Sequence, residues 1–367
     1  MTRSSGVRCV ALVLTALIGM AGSGLAPYPA GALPASAAHP VGTWTARKSG
    51  THSLLFAVAF PDSTHGWTVG SLGATILRTA DGGASWTPQV PGTRSDLVSV
   101  SFPDTTHGWA VGAAGTILST SDGGAHWAQQ ESATHDDLDS VDFVDPSHGW
   151  AVTGLAPTIL QTTDGGAHWM ARSVGSSGLC SVCFPDATHG WAVGEDSAIL
   201  VTTDGGSHWT AQRATTQSTL ASVTFLDANH GWAVGGHGAA LRTVDGGAHW
   251  ISEDSGTGND LASVAFSDPV HGWAVGGSGT LLYSADGGVH WKALASGTRE
   301  DLRSIALSGP THGWIVGAAG TALVYGPASA TPAIPSDRTP LWIGAGLLVV
   351  LVLVGAGFAM RRRRRSR

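Results

Sequence analysis

A repeat of about 41 residues runs through most of this chain. The tripeptide His-Gly-Trp occurs seven times, at spacings of 42 residues once and 41 residues five times, with its tryptophan at Trp67, Trp109, Trp150, Trp191, Trp232, Trp273 and Trp314. A second motif, Ser/Thr-x-Asp-Gly-Gly-x-x-Trp, occurs six times, with its aspartate at Asp81, Asp122, Asp164, Asp204, Asp245 and Asp286. A fixed period of this length indicates small structural units that contact mainly their neighbours.

One unit, between Asp96 and Gln130, predicts four short strands at 97–102, 108–111, 116–120 and 126–130. Glycine-rich turns separate them, and the 52 Gly and 15 Trp of the whole chain suit strands and tight turns better than long amphipathic helices. A single four-stranded sheet cannot bury both of its faces, whereas in a radial array each sheet packs between two neighbours. The period of the repeat also matches the ~40 to 45 residues of propeller blades. The sequence therefore predicts an all-β fold, a seven-bladed β-propeller.

The two ends of the repeat region complement each other. Trp44 lies 42 residues before Trp86, the first tryptophan of the second motif, and so marks an isolated fourth strand. The last repeat, at 302–324, has only three strands and lacks this one. We predict that the N-terminal segment supplies the outer strand of the last blade, because this closure removes the exposed strand edges of a linear array.

Both termini carry targeting signals. Residues 1–37 predict a secretory signal peptide with Arg3 and Arg8 in its basic region and a small-residue cleavage site at 35–37; an uncleaved N-terminal anchor is the alternative. The propeller is expected at 38–325 and a Pro-rich linker at 326–340. Residues 341–360 are uncharged and apolar, which predicts a transmembrane helix. The basic tail at 361–367 is then cytoplasmic, and the propeller lies outside the cell membrane of a single-pass protein.

The charge distribution excludes nucleic acid as a partner. Eight of the 19 basic residues lie in the two terminal segments, so that 11 basic residues remain against 26 acidic ones in the body. A body of this charge repels phosphates, and the expected partner is a protein instead.

The second motif resembles the Asp-box, or BNR, repeats of sialidase-like propellers. Its combination with Asp-x-x-His-Gly-Trp-x-Val-Gly, as at 62–70 and 104–112, more specifically resembles the photosystem II stability and assembly factor family. The resemblance implies seven blades, a location outside the cytoplasmic membrane or in the thylakoid lumen, and assembly of a membrane protein without catalysis. The C-terminal anchor departs from the family's usual pattern.

Repeated residues favour structural roles over chemistry. The six box aspartates are expected to cap turns by accepting backbone N–H bonds, since equivalent copies around a ring do not form one active site. Each histidine of His-Gly-Trp sits alone on its blade and is expected to bond its own turn backbone, while the histidines before the box tryptophans are expected to be repeat filler. Cys180 and Cys183 lie three apart on a strand, facing opposite sides, and are expected to be free thiols. No catalytic residue, metal or cofactor is predicted.

The connections from fourth to first strands and from second to third strands lie on one face, and they are irregular. The partner is expected on this face because variable loops on a rigid frame carry recognition. Blades seven, one and two adjoin after closure, so we expect Arg47, Lys48, Arg94, Arg299 and Arg303 to cluster there. The expected partner of this cluster is a protein, including an integral membrane protein or complex; ordinary solvated loops are the alternative. The predicted function is a membrane-tethered, non-catalytic binding or assembly module.

The alternative function is a sialidase-like or other glycoside hydrolase. A sialidase needs a tyrosine nucleophile, and only Tyr283 and Tyr325 remain in the body, both at third-strand positions where some other repeats have Ser or Val. A two-carboxylate hydrolase would require convergent carboxylates at the central channel.

Overall fold

The computed structural model describes residues 42–175 and 177–327, which form a seven-bladed β-propeller. This confirms the predicted fold. Each blade is a four-stranded antiparallel sheet, and sequence order runs from the innermost to the outermost strand in blades 1 to 6.

The first strand of the chain, β1 (Gly42–Lys48), belongs to the last blade. Blade 1 follows with β2 (Leu55–Ala59), β3 (Gly66–Gly70), β4 (Thr75–Thr79) and β5 (Thr87–Pro88). Blade 2 consists of β6 (Leu97–Ser101), β7 (Gly108–Gly112), β8 (Thr116–Thr120) and β9 (Ala128–Gln130). Blade 3 consists of β10 (Leu138–Phe143), β11 (Gly149–Thr153), β12 (Thr158–Thr162) and β13 (Met170–Ser173).

Blade 4 consists of β14 (Leu179–Cys183), β15 (Gly190–Gly194), β16 (Ile199–Thr202) and β17 (Thr210–Ala211). Blade 5 consists of β18 (Leu220–Phe225), β19 (Gly231–Gly235), β20 (Ala239–Thr243) and β21 (Ile251–Asp254). Blade 6 consists of β22 (Leu261–Phe266), β23 (Gly272–Gly276), β24 (Leu281–Ser284) and β25 (Lys292–Ala293). Blade 7 consists of β26 (Leu302–Leu307), β27 (Gly313–Gly317), β28 (Thr321–Pro327) and β1.

The predicted ring closure is confirmed. β1 pairs antiparallel with β28 over seven residue pairs, from Gly42 opposite Pro327 to Lys48 opposite Thr321. β28 extends two residues past the predicted end of the propeller. The predicted signal peptide, transmembrane helix and basic tail, and the rest of the linker, lie outside the described residues. Within the described ranges, no helix has the length and apolar character needed to span a bilayer.

Aromatic stacking holds neighbouring blades together. The phenylalanine after the inner strand of blade 2, Phe102, stacks on Trp67 of blade 1 with ring centroids 3.7 Å apart, and meets Trp127 of its own outer region edge-on at 5.9 Å. Six of the seven interfaces carry such a stacked pair, at 3.5–3.7 Å. The glycine of His-Gly-Trp is required by this packing, because a Cβ on Gly108 would overlap the Phe102 ring. Aromatic burial of this kind is a large share of the core energy.

The inner strands are also joined by serine hydroxyls. In blade 2, Ser99 Oγ accepts a hydrogen bond from Val141 N of blade 3 at 3.1 Å, and the same contact recurs at five further interfaces. Ala57 occupies the equivalent position in blade 1. These bonds satisfy backbone groups next to the central channel.

The interface between blades 6 and 7 is irregular. Leu307 stands where other blades have phenylalanine, and Trp273 packs instead against Tyr283 and Tyr325, at centroid distances of 5.0 and 5.5 Å. Its indole N–H has no acceptor among the described residues. The corresponding tryptophans, such as Trp67, donate to the carbonyl of a box glycine in the next blade. Blade 7 has no box because β1 replaces its last strand.

Candidate functional site

The propeller has two unlike faces. The box face carries the turns between first and second and between third and fourth strands, such as 60–66 and 80–86. The loop face carries the connections between second and third and between fourth and first strands, such as 71–74 and 89–96. The box face is nearly uniform around the ring, whereas the loop face varies from blade to blade.

Box aspartates cap their turns, as predicted. In blade 2, Asp122 Oδ1 accepts hydrogen bonds from Thr120 Oγ1 at 2.8 Å and from His126 N at 2.9 Å, while Thr120 Oγ1 accepts from Gly124 N at 2.9 Å. The other five boxes repeat this arrangement. Hydrogen bonds from the His126 backbone and ring lower the pKa of Asp122. The six aspartates thus serve the scaffold.

The histidines have a different role from the one predicted. His107 does not use its ring to bond the turn backbone; its Nδ1 bonds Asp104 Oδ2 at 2.9 Å. Box histidines are not filler either, since His126 Nδ1 lies 2.7 Å from Asp122 Oδ2. Among the described residues, eleven such His–Asp pairs occupy the box face. The spacing Asp-x-x-His was the sequence signal for six of the eleven. In the described part of the chain, no three potential ligand side chains converge into a metal-binding group.

The regular connections between second and third strands on the loop face are tight turns with two consecutive left-handed residues, such as His237 and Gly238. His237, with φ 56°, donates its backbone N–H to Asp260 Oδ1 at 2.8 Å. Ser278 N donates in the same way to Asp301 Oδ1 at 3.0 Å. These carboxylates precede the inner strands of blades 6 and 7, so the turns fix them at the mouth of the central channel.

Two second-to-third connections depart from this pattern. The loop 71–74 in blade 1 and the loop 154–157 in blade 3 are each longer by about one residue than the regular turn. Each exposes a leucine: Leu72, with φ 63°, is 79% exposed and Leu155 is 65% exposed. Val90, in the connection that follows blade 1, is 86% exposed. An exposed leucine in the left-handed region is uncommon and marks a candidate recognition position.

The five basic residues predicted to dock a partner separate into two groups. Arg47 and Lys48 are exposed at the end of β1, and Arg94 and Arg299 are exposed in the connections that lead to β6 and β26. All four lie on the rim of the loop face. Arg303 instead lies in β26 at the channel mouth and donates from Nη2 to Asp301 Oδ2 at 3.0 Å.

The central channel is lined by one residue from each inner strand. This ring consists of Phe56, Val98, Asp139, Cys180, Ala221, Ala262 and Arg303. Together with Thr219, Gly236, Asp260, Gly277 and Asp301, the ring bounds a cavity of about 220 Å³ that opens on the loop face. Three aspartates, Asp139, Asp260 and Asp301, are therefore among the residues that line the central cavity. The sequence alone did not show whether carboxylates would lie there.

A second polar position lies at the far end of the inner strands. Asp142 Oδ2 accepts a hydrogen bond from Phe184 N at 2.7 Å. At the interface between blades 2 and 3, Ser101 Oγ accepts the equivalent hydrogen bond from Phe143 N. Burial raises the pKa of Asp142 to about 6. Burial, followed by the charge of Asp142, also raises the pKa of Cys183. Cys180 and Cys183 do not form a disulfide with each other, as predicted.

Tyr283 and Tyr325 are not available to a substrate. Both are nearly fully buried, at 5% and 3% exposure, in the interface between blades 6 and 7. Burial raises the pKa of each phenol, and Tyr325 accepts a hydrogen bond from Gly42 N at 3.2 Å. Neither can act as a sialidase nucleophile in this position.

Comparison with known proteins identifies the family. The family model described as photosynthesis system II assembly factor YCF48 matches residues 89–169, 207–260 and 251–326, which together exceed half of the chain. The chain belongs to the YCF48 family. No curated protein matches the sequence.

Solved structures agree with membership of the YCF48 family. A structure described as YCF48 bound to D1 peptide is 26% identical, covers 82% of this chain and 99% of its own, and superposes with a TM-score of 0.66. YCF48 from Cyanidioschyzon merolae is 25% identical, with 77% and 98% coverage and a TM-score of 0.66. A xyloglucanase from Xanthomonas campestris, at 16% identity, 77% and 53% coverage and a TM-score of 0.61, shares only the propeller fold.

Proposed function

We propose that this chain is a non-catalytic binding module of assembly-factor type, tethered by residues 341–360 with its propeller outside the cell membrane. Its loop face docks a segment of a protein partner, and an exported part of an integral membrane protein is the segment expected. Its box face serves as scaffold, because the turns there are satisfied internally by eleven His–Asp pairs.

The observation that carries the proposal is the composition of the loop face around blade 1. Leu72 and Val90 expose apolar side chains on the face that also bears Arg47, Lys48 and Arg94. Exposed apolar residues grouped with arginines are typical of protein-binding surfaces. The related YCF48 structure described with a D1 peptide supports a peptide segment as the ligand class.

The docking proposal is tested by proximity labelling from the extracytoplasmic side. Cells would carry the unaltered chain, the variant Leu72→Ser with Val90→Ser, or the variant Arg94→Ala with Arg299→Ala. Val244→Ser, an exposed apolar residue on the box face, and Arg172→Ala, an exposed arginine on outer strand β13, are the matched controls. We expect one membrane protein to be labelled in the unaltered and control cells and to be lost in both loop-face variants.

Direct binding then follows with synthetic segments from the exported loops of that protein and the purified chain. Equal labelling by all variants would contradict the docking proposal. The topology is tested separately: added protease is expected to cleave the propeller in intact cells, and a stop after residue 327 is expected to release it from the membrane fraction. Retention in the cytoplasm would contradict the location.

A glycoside hydrolase stays the second candidate because Asp139, Asp260 and Asp301 all line the central cavity. Asp301 is bonded to Ser278 N and Arg303, and Asp260 to His237 N, so both are held by the frame. Turnover of members of a glycan panel, abolished by Asp260→Asn, would favour this candidate over the binding module.

A further inference from the structure

Three contacts recur between neighbouring blades and are seen together between blades 2 and 3. Trp109 stacks on Phe143 with ring centroids 3.5 Å apart, and the Trp109 indole N–H donates to Gly165 O at 3.1 Å. Ser99 Oγ accepts a hydrogen bond from Val141 N at 3.1 Å. Within the described ranges, five of the seven interfaces carry all three contacts. The two incomplete interfaces lie on either side of blades 7 and 1.

The interface between blades 6 and 7 keeps one of the three contacts. Ser263 Oγ accepts a hydrogen bond from Ile305 N at 3.3 Å. Because Leu307 replaces the phenylalanine, Trp273 meets two tilted tyrosine rings, at interplanar angles of 51° and 56°, in place of a stacked ring. The Trp273 indole N–H is buried without an acceptor among the described residues, and an unbonded buried donor weakens the interface.

The interface between blades 1 and 2 keeps two of the three contacts. Trp67 stacks on Phe102 at 3.7 Å and donates to Gly123 O at 3.1 Å. Ala57 occupies the serine position of blade 1 and has no hydroxyl to accept a hydrogen bond from Val100 N of blade 2. This interface therefore lacks one hydrogen bond that the five complete interfaces have.

We propose that blades 7 and 1 open from the ring as one unit, formed by residues 42–88 and 302–327. Its two boundaries are the incomplete interfaces, whereas the interface inside it carries all three contacts. β1 links the two blades, since it pairs with β28 of blade 7 and leads directly into blade 1. In this connection Ser49 Oγ donates to Gly320 O at 2.7 Å, and Gly320 N donates to Ser53 O at 2.9 Å. Local opening separates the elements that share the fewest contacts.

Opening of this unit moves residues of the proposed docking surface. Arg47, Lys48 and Leu72 belong to the unit. Arg94 and Arg299 lie in the two connections that cross its boundaries. Opening therefore changes the spacing of these side chains on the loop face. The proposed unit does not depend on docking and is tested without a partner, so that either proposal can fail while the other stands.

Thiol labelling of buried positions tests the unit on the full chain in detergent micelles. Each interface contains a fully buried leucine from an inner strand, so cysteine substitutions of these leucines form a matched set. Leu302→Cys and Leu97→Cys report the two boundaries. Leu55→Cys reports the interface inside the unit, and Leu138→Cys reports a complete interface elsewhere in the ring. Labelling by iodoacetamide is measured at each cysteine by peptide mass spectrometry, relative to the urea-unfolded chain.

We expect the two boundary cysteines to be labelled at equal rates, at least tenfold faster than the other two. Equal labelling of all four would overturn the proposal, as would fast labelling of Leu302→Cys alone. Labelling of Leu55→Cys as fast as Leu302→Cys would also overturn it, because the two blades would then separate from each other. If a leucine variant does not fold, smaller changes probe the same four interfaces: Ile305→Cys, Val100→Cys, Val58→Cys and Val141→Cys.

A further variant tests whether the two boundaries open together. Ala57→Ser supplies the missing hydroxyl between blades 1 and 2, and we expect it to slow labelling at least threefold. If the blades open as one unit, the rate falls by the same factor at Leu97→Cys and at Leu302→Cys, on the far side of the unit. Ala128→Ser, at an exposed alanine on outer strand β9, is the matched control and is expected to change neither rate. A decrease at Leu97→Cys without one at Leu302→Cys would overturn the proposal, because the two interfaces would then open independently.

Discussion

The ring of Phe60 stacks on the indole of Trp314, with centroids 3.5 Å apart and planes 5° from parallel. Phe60 follows the first inner strand and Trp314 lies in the last blade, so this contact joins the two ends of the repeat. It is the same contact that joins neighbouring blades elsewhere. The ring is therefore closed twice, by this stacked pair and by the pairing of β1 with β28.

Stacked pairs are expected to dominate the stability of the regular interfaces. Phe143→Leu removes the stacking on Trp109 at 3.5 Å and the edge contact with Trp169 at 5.8 Å, and we expect a loss of about 2 kcal/mol in the free energy of unfolding. Urea unfolding followed by tryptophan fluorescence measures this. The control Val244→Ala alters an exposed side chain and is expected to change little; an equal loss in both would contradict the interpretation.

The glycine of His-Gly-Trp is expected to tolerate no side chain. Gly108→Ala places a methyl group against the Phe102 ring, which cannot retreat because Trp67 and Trp127 enclose it. We expect a destabilisation of about 1–3 kcal/mol by overpacking. Gly258→Ala, at an exposed glycine with open space around it, is the matched control in the same thermal unfolding measurement. A stable Gly108→Ala protein would show that the aromatic pair is loosely packed.

Asp142 is expected to cost stability at neutral pH. Its folded pKa of about 6 lies above the ordinary 3.8, so the folded state favours the protonated carboxyl. The cost is absent below pH 4, grows between pH 4 and 6, and is complete above pH 6. Asp142→Asn keeps an acceptor for Phe184 N, and we expect it to gain about 2 kcal/mol at pH 7.5 and almost nothing at pH 4. Asp136→Asn, exposed in the same repeat, is the control; a pH-independent gain would contradict this origin.

The box aspartates are expected to make the propeller sensitive to acid. Hydrogen bonds from their own turns lower the pKa of Asp164 and Asp204 from 3.8 to about 2. A lowered folded pKa adds stability that is present above about pH 4 and is lost as pH falls toward 2. The urea midpoint is therefore expected to drop steeply over this range, and less steeply in Asp164→Asn with Asp204→Asn. The control is Glu131→Gln, an exposed carboxylate on the first loop after blade 2.

The sequence predicted the blade count and the closing strand because both depend on spacing alone. Trp44 and Trp86 are 42 residues apart, and this one number was enough to assign β1 to blade 7. The box aspartates were predictable for the same reason, since an Asp before Gly-Gly caps a turn through contacts within five residues.

Contacts between blades were much harder to predict. Phe56, Asp139 and Arg303 line one cavity, although they are separated by tens to hundreds of residues and occupy equivalent positions with unrelated side chains. The exposure of Leu72 was missed because it depends on one extra residue in the turn of blade 1. A spacing of 42 residues in place of 41 indicates that a residue is inserted. It does not show which side chain the longer turn exposes. Strand order was enough to place Arg47, Lys48, Arg94 and Arg299 on the rim of the loop face. The pairing of Arg303 with Asp301 required coordinates.

The pairing of Gly42 with Pro327 has a consequence for biosynthesis. β1 is the first strand to be made, yet its partner β28 is the last, and the Gly42 N–H bonds the Tyr325 hydroxyl across 283 residues of sequence. A chain that terminates even one blade early lacks β28, so β1 has no strand to pair with and the ring stays open. Closure therefore acts as a length check: only a chain synthesised at least through β28 can complete the ring. Chains that terminate earlier keep unpaired strand edges that quality-control proteases can recognise.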